Sequence, residues 1–290
     1  GLIGNVWGLI NPWKILFGWA EWTWSFFTAR SLSRGLVYPN NLGVWPAVIL
    51  FSCFAWIEIA YPGSAIPSRI ALLTLAYTVV TFAGMFVFGR DVWLKRGEAF
   101  TVAMDFFARL APTEVRLAEA GGRGGVRGDE PWSKELQYEN RWNLRCWGSG
   151  LLTGERLTGS ESVFLIVMLS TVSFDGFTET PIWARFLAEA YDSFSWLGIH
   201  TFTGIKTFGL VCSPFVLFGA FAFAVRMMRS TARSAEPTLE LMGSFAVSLV
   251  PIAFAYHVAH FFSFLLIQGQ RVIPLTSDPF GRGWDLFGTA

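Results

Sequence analysis

The chain has 290 residues, of which 53% are hydrophobic, 17% aromatic and only 15% charged, whereas about 25% of an average soluble domain is charged. This composition and the formal net charge of +1 exclude a disordered chain, a collagen-like chain and a nucleic-acid-binding protein with a basic face. Three scattered cysteines, without a CxxC pair, exclude a disulfide framework. The composition predicts an integral membrane protein, whose first partner is the lipid bilayer.

The first segment, Gly1–Ala29, is rich in tryptophan and contains an Asn-Pro pair. Five of its residues are Trp, which is typical of a membrane–water interface. Pro12 after Asn11 is a favourable helix start, because Asn caps helices and proline is tolerated in the first turn. The segment predicts an interfacial helix, and we expect the end of a further span ahead of it.

Five segments contain about 20 mostly apolar residues, the length that a helix needs to cross a hydrocarbon core of roughly 30 Å. They are Leu42–Tyr61, Arg69–Phe88, Glu161–Thr178, His200–Met228 and Thr238–Gln268. The fifth is longer than a bilayer requires, and Pro251 within it predicts a kink. The predicted fold is an all-α polytopic transmembrane helix bundle, a single domain over residues 1–290 with interfacial amphipathic helices.

The basic residues predict the orientation of this bundle. Sixteen Lys and Arg fall on the side that receives the short loop Arg226–Arg233, and four fall on the other side. Because cytoplasmic loops carry the excess of basic residues, we place the first side in the cytoplasm. There, Asp91–Leu110 mixes aromatic and charged residues, which predicts an amphipathic helix on the inner surface. The polar residues 111–160, with the glycine-rich run Gly121–Gly125, predict a flexible cytoplasmic insertion with room for a short helix.

Five acidic or histidine residues inside the predicted spans fall in the outer half of the membrane. They are Glu58, Asp175, His200, His257 and His260. An ionisable side chain in a bilayer is costly and by default marks a functional site or a buried pair. The orientation rests on Lys and Arg alone, so this convergence is independent of it. His257 and His260 are three residues apart and therefore share one helix face.

Three histidines with one or two carboxylates match the ligand set of a catalytic zinc, copper or iron centre. We therefore predict that His257, His260 and His200 bind a divalent metal ion. Such an ion lowers the pKa of a coordinated water molecule towards about 7 and supplies hydroxide at neutral pH. Asp175 or Glu58 would bind the ion, act as the general base or accept a hydrogen bond from an imidazole.

Structural interpretations stay open for the same residues. His257 and His260 suit hydrogen bonds between helices, and His200 lies near an interface, where histidine costs little. Glu58 suits an interfacial position, and Asp175 suits a helix cap or an ion pair. A haem between His200 and one histidine of the last span is a further alternative.

Several motifs resemble those of one family of bacterial polytopic inner-membrane proteins. They are Asn11–Trp13, Ser170–Phe177, Ala255–Ser263, Gln268–Gln270 and Ser277–Phe287. Proteins of this family carry the label fenitrothion hydrolase, an organophosphate-triester hydrolase. The resemblance covers most of the chain outside residues 111–160, and it implies a bacterial inner membrane, further spans and phosphotriester hydrolysis. Asp175, His257 and His260 fall within the matching motifs, and His200 falls outside them.

Different functions agree with these features. The first is a metal-dependent hydrolase of organophosphate-like esters, whose small apolar substrate suits walls rich in Phe and Trp. The second is a non-catalytic membrane subunit of a larger respiratory, photosynthetic or transport assembly, for which 29 Phe and 14 Trp supply an aromatic surface. A metal or small-molecule carrier that uses the same His and Asp residues is a third.

Overall fold

A computed structural model describes residues 4–119, 138–152 and 156–288 of the chain. Most of this chain is helical. In chain order the helices are α1 (Trp7–Ile10), α2 (Pro12–Thr28), α3 (Trp45–Ile59), α4 (Pro67–Phe88), α5 (Arg90–Arg96), α6 (Ala99–Ala108), α7 (Gly159–Thr178), α8 (Pro181–Ser193), α9 (Thr201–Ala232), α10 (Thr238–Ala246), α11 (Leu249–Gln268) and α12 (Val272–Ser277). One strand pair, β1 (Thr113–Glu119) and β2 (Tyr138–Leu144), lies between α6 and α7. The predicted all-α fold class is confirmed.

In the described part of the chain, four helical stretches are long and apolar enough to cross a membrane, and they coincide closely with four of the predicted segments. They are α4, α7, α3 with the turn that precedes it (Asn40–Ile59) and α9 with the turn that precedes it (Gly198–Ala232). The fifth segment is a bent pair, since α10 and α11 meet at an angle of 44° across Val247 and Ser248. Pro251 explains the bend, because proline lacks an N–H group and its ring clashes with the carbonyl four residues earlier, which is that of Val247. The predicted kink is therefore present, one turn before the proline.

Polar side chains fix the starts of two predicted helices. Asn11 accepts a hydrogen bond from a backbone N–H of the first turn of α2, and Pro12 opens that helix, as expected. α7 begins with a capping box, in which Thr158 and Glu161 each pair with the backbone N–H of the other. These caps set the first residue of each helix.

α7 is the central helix of the bundle. Of its candidate span, 61% is buried inside the protein, against 17% for α4 and 11% for α9. Phe164 and Met168 of α7 lie fully buried in a core to which α3, α6 and α11 also contribute. A side chain on α7 is therefore placed by packing on several sides.

α3 lies beside α7 and runs in the same direction. At their common starting end the backbone N–H of Val44 donates to Ser160 Oγ over 3.1 Å. Gly43 approaches Ser160 so closely, at a φ of +47°, that a side chain would not fit there. Further along, the rings of Phe51 and Phe164 lie 5.3 Å apart. The last turn of α3, with Glu58, therefore reaches the same end of the bundle as the last turn of α7.

The segment predicted as one surface helix, Asp91–Leu110, forms two helices, and the second lies inside the bundle. α5 ends before Gly97, and α6 begins after Glu98. Val102 and Phe106 of α6 are buried in the core. The predicted surface position is wrong for α6. Only Asp105 is ionisable between residues 99 and 108, so the helix is apolar on nearly all sides and is stable only when buried.

Glu98 joins three parts of the chain at this break. The side chain is fully buried, and it accepts the backbone N–H groups of Phe100 and Thr101 at 2.9 and 2.7 Å. The hydroxyls of Tyr77 and Thr101 also donate to the carboxylate, and the Asn11 amide lies 3.5 Å away. A buried carboxylate is tolerated only where donors surround it. Here α4, α6 and the start of α2 supply them.

The predicted insertion, residues 111–160, contains the antiparallel pair of β1 and β2 where we expected a flexible loop. The run Gly121–Gly125 lies outside the described residues. The Arg145 guanidinium, which follows β2, donates to the carbonyls of Ala108 and Arg109 at 3.1 and 3.2 Å. These bonds satisfy carbonyls that the end of α6 leaves without helical partners, so the insertion returns to the bundle at the end of α6.

The segment Ser277–Phe287 forms a turn around Asp278. The Asp278 carboxylate accepts the backbone N–H groups of Arg282 and Gly283 at 2.8 and 2.6 Å. These hydrogen bonds hold the pKa of Asp278 below its usual range. Gly281 and Gly283 have φ angles of +63° and +75°, which glycine adopts readily. Backbone geometry therefore accounts for the spacing of Asp and Gly in this motif.

Candidate functional site

Asp175 of α7 and His260 of α11 form a hydrogen-bonded pair. His260 Nε2 lies 2.7 Å from Asp175 Oδ2. An ionised carboxylate only accepts, so Nε2 carries the proton and donates it. The two side chains are 23% and 28% exposed, which shields the pair from water and strengthens its attraction relative to a surface pair. Of the sequence-based alternatives, the structure favours a hydrogen bond between helices for these two residues.

A glycine lets α7 and α11 approach at this point. Gly176 follows Asp175, and a Cβ atom built on it would lie 3.0 Å from the hydroxyl oxygen of Tyr256. Real Cβ contacts are rarely so short, so a larger residue would require the Tyr256 side chain to shift by a few tenths of an ångström. The small residue at position 176 therefore gives room to Tyr256 of α11 beside the pair of Asp175 and His260.

His257 is held in one tautomer by its own helix. Its Nδ1 lies 2.7 Å from the carbonyl oxygen of Ala253. Because a carbonyl only accepts, Nδ1 carries the proton of the neutral ring, and Nε2 keeps its lone pair. The ring of Phe107 packs edge-on against the imidazole, with the centroids 5.8 Å apart. His257 therefore has a nitrogen that is able to accept a proton.

A pocket of about 380 Å³ lies beside these residues, within the range of roughly 300–1,000 Å³ that is typical of small-molecule sites. Its polar and ionisable lining side chains are Glu58, Thr171, Asp175 and His257. The Thr171 hydroxyl donates to a carbonyl of its own helix, which leaves the two carboxylates and the imidazole to meet a bound molecule. The other walls are aromatic and aliphatic. The site thus combines a few ionisable groups with an apolar cavity.

Glu58 reaches this pocket from the last turn of α3. It lines the pocket together with Asp175 and His257. The structure thus gathers four of the five ionisable residues that the sequence placed in one half of the predicted membrane. Three of them line the pocket, and His260 is hydrogen-bonded to one of those three.

His200 lies elsewhere. It precedes α9 and lines a separate, open pocket of about 840 Å³ together with Tyr61, Arg69 and Thr203. The structure therefore does not bring His200 into the pocket that His257 lines, where it was expected as a third ligand. The turn before α9 places His200 beside the end of α3 and the start of α4, away from the cavity that His257 lines.

The predicted zinc, copper or iron centre has no ligand set in the structure. Among residues 4–119, 138–152 and 156–288, no three His, Cys, Asp or Glu side chains come together as ligands of a metal ion. The Nδ1 atom of His257 is hydrogen-bonded to its own helix, and the Nε2 atom of His260 is hydrogen-bonded to Asp175. His200 lines a different pocket from His257, so the structure does not favour a haem held between them.

Sequence reasoning missed the wall that α6 contributes. Phe100, Ala103, Met104 and Phe107 all line the pocket, although their segment was expected on the inner surface. The signal was present in the sequence. A ten-residue helix with a single ionisable residue is more apolar than a surface helix needs to be.

Comparisons of the chain with family models, with curated proteins and with solved structures find no match. The family resemblance carried by the motifs therefore stays a prediction. The function has to be argued from the pocket itself.

Proposed function

We propose that the chain is a membrane protein that hydrolyses neutral, apolar esters in the pocket formed by α3, α6, α7 and α11. Four long apolar helices and one bent pair support the membrane location, and the motif resemblance favours a bacterial inner membrane. The observation that carries the activity is the basic Nε2 atom of His257 in an apolar cavity shared with Asp175. An imidazole and a carboxylate are the groups most used in general acid–base catalysis.

In the proposed reaction, His257 Nε2 accepts a proton from a water molecule while the water oxygen attacks the ester carbon or phosphorus. The imidazolium that forms is stabilised by the Asp175 carboxylate in the same pocket, because apolar walls strengthen the attraction between opposite charges. His260 orients that carboxylate through its hydrogen bond of 2.7 Å. The imidazolium then returns the proton to the departing alkoxide or phenoxide oxygen, so the products are an acid and an alcohol.

The charges of the pocket favour a neutral substrate. Glu58 and Asp175 both line it, and two carboxylates repel an anionic diester or monoester. A carboxylic ester or a phosphotriester carries no charge, and its organic groups suit the aromatic walls. This substrate class agrees with the triester that the motif resemblance implies.

The proposal is tested with purified protein in lipid nanodiscs, using p-nitrophenyl acetate and a neutral p-nitrophenyl phosphotriester. We expect His257→Ala to lower kcat/KM by roughly 100-fold or more, the usual contribution of a general base. Added imidazole should restore part of that loss. His200→Ala, which alters the other pocket, is the matched control and should stay within about twofold. Equal rates for the wild type and a folded His257→Ala protein would overturn the proposal.

A different observation favours the second expected function, a non-catalytic subunit of a respiratory, photosynthetic or transport assembly. α4 and α9 bury little of their surface within the chain, and Phe208, Phe215 and Val216 of α9 are exposed. Other membrane subunits would cover these faces as well as lipid does. Chemical crosslinking in native membranes, followed by isolation in mild detergent, distinguishes the two functions. A stoichiometric partner on α9 and no ester turnover would support the subunit, whereas a single chain with turnover supports the hydrolase.

A further inference from the structure

A second apolar cavity lies between α3 and α4. It has a volume of about 410 Å³. Its walls include Leu50, Cys53 and Ile57 of α3 and Leu73, Tyr77 and Val80 of α4. The two helices make little direct contact with each other, so this space, here called the α3–α4 cleft, stays open between them.

The α3–α4 cleft suits a hydrocarbon chain. The Tyr77 and Trp13 side chains, which line the cleft, have their polar atoms in hydrogen bonds. The Tyr77 hydroxyl donates to Glu98, and Trp13 Nε1 donates to Thr78 over 3.0 Å. Only the Thr74 hydroxyl and the Cys53 thiol remain as small polar groups along the walls. A polar ligand would lose hydrogen bonds to water here and gain few in return, whereas an apolar chain loses none.

The cleft adjoins the pocket that holds His257. Phe54 and Phe100 line both cavities, and their rings meet edge-on with centroids 5.1 Å apart. These two rings are therefore the partition between the cavities. The Phe54 side chain is 39% exposed, so packing leaves it free to turn and open the partition.

The outer rim of the cleft faces away from the protein. Ile70 and Val80 of α4, both of which line the cleft, are 46% and 45% exposed. In the proposed membrane these side chains would meet lipid acyl chains. A molecule dissolved in the bilayer could thus enter the cleft sideways, without passing through water.

We propose that the α3–α4 cleft holds the hydrocarbon chain of a single-chain membrane amphiphile whose neutral ester group lies in the His257 pocket. The substrate class is thereby narrowed from neutral apolar esters in general to long-chain esters drawn from the bilayer. The position of the ester group rests on the proposed function. The position of the hydrocarbon chain rests on the cleft alone. The two parts are tested by separate measurements.

Cys53 provides a direct measurement of occupancy, because it lines the cleft. With Cys146 and Cys212 replaced by Ser, Cys53 in nanodiscs is labelled with N-ethylmaleimide in the presence of a neutral, non-hydrolysable methyl ketone. We expect 2-tetradecanone to slow labelling at least fivefold and 2-butanone to leave it unchanged. The matched control keeps Cys212 as the single thiol. Cys212 lines another pocket, on α9, and should show no chain-length dependence.

The assignment is overturned if both ketones act equally at Cys53, or if 2-tetradecanone slows Cys53 and Cys212 alike. The first result would mean that chain length is not sensed, and the second that the ketone only coats the protein. Neither readout depends on catalysis. Protection of Cys53 without ester turnover would therefore contradict the hydrolase proposal and leave the cleft assignment standing.

A pair of variants on α4 tests the same point by a different route. Thr74→Trp adds bulk at a position that lines the cleft, whereas Leu72→Trp adds the same bulk at an exposed position that does not line it. We expect Thr74→Trp to abolish the protection of Cys53 by 2-tetradecanone and to lower turnover of a C12 ester at least tenfold relative to a C2 ester. Leu72→Trp should behave like the wild type. Equal behaviour of the two variants would contradict the proposed binding mode.

Discussion

Glu98 and Asp175 are carboxylates in two parts of one bundle, and their surroundings differ in one decisive respect. Glu98 is fully buried and is approached by five donor groups, from Asn11, Tyr77, Phe100 and Thr101. In the described part of the chain, the Asp175 carboxylate has one side-chain hydrogen bond, to His260, and it borders a cavity. A carboxylate whose lone pairs are all occupied holds the structure together. One that keeps lone pairs open to a cavity is available for chemistry.

The largest expected effect is on catalysis at Asp175. Asp175→Asn keeps the size of the side chain and an oxygen that accepts the His260 hydrogen bond, but it removes the charge that stabilises the His257 imidazolium. We expect ester turnover to fall by roughly 100- to 1,000-fold, with the melting temperature nearly unchanged. Turnover assays and thermal unfolding in nanodiscs measure both. Unchanged turnover would remove Asp175 from the reaction.

Glu98 should show the opposite behaviour. Glu98→Ala removes the cap of α6 and leaves the buried Tyr77 hydroxyl without its acceptor, which together cost about 3 kcal/mol of unfolding free energy. Denaturant unfolding in mild detergent measures this loss. Glu98→Gln, which keeps one acceptor oxygen, should lose less. Glu189→Ala on the exposed face of α8 is the control and should lose almost nothing.

Much of the fold could be predicted from the sequence, because the signals for it are local. Hydropathy marked five helical segments, Asn11-Pro12 marked a helix start, and Pro251 marked a bend. The position of α6 was wrong because the charged residues of α5 and the apolar residues of α6 were read as one amphipathic helix. The break between them depends on donors to Glu98 that come from α4 and from the start of α2, 21 and 87 residues away along the chain, and no local pattern reports them.

The candidate site was predicted where its signal is local and missed where it depends on tertiary contacts. His257 and His260 share a helix, so their spacing alone placed them together. Asp175 and Glu58 joined them because α3 and α7 run in the same direction, which the orientation of the spans already implied. His200 did not, because the rotation and packing order of α9 are set by tertiary contacts that hydropathy does not encode.

The helix crossing at Gly176 offers a sharper test of the site. Gly176→Ala would place a Cβ atom 3.0 Å from the Tyr256 hydroxyl oxygen, so Tyr256 must give by a few tenths of an ångström, and we predict that part of this shift reaches His257 and His260 on the same helix. We expect turnover to fall about tenfold, since misplacement of catalytic groups by a fraction of an ångström is costly. Tyr256→Phe in the same chain should restore most of the loss. Gly219→Ala on α9, where nothing lies within 4 Å, is the control.

The smallest expected effect concerns the turn around Asp278, whose side chain is partly exposed. Its folded-state pKa is lowered by backbone N–H groups, the first from Arg282, so its stabilising contribution is present above the ordinary pKa of about 3.9 and is lost as the pH falls through the lower folded value. Hydrogen exchange of residues 277–288 should show protection that persists at pH 5 and disappears below about pH 4. Asp278→Ala should exchange severalfold faster at pH 7, with ester turnover unchanged. Protection that is lost already at pH 6 would contradict this assignment.

The most direct test of the contrast between the two carboxylates measures ester turnover and unfolding on the same preparations of the wild type, Asp175→Asn and Glu98→Gln. Asp175→Asn should lose turnover and keep its unfolding free energy, whereas Glu98→Gln should lose unfolding free energy and keep its turnover per folded molecule. If Asp175→Asn instead lost stability with turnover intact, the pair of Asp175 and His260 would be a structural contact between helices, and the proposed active site would be contradicted.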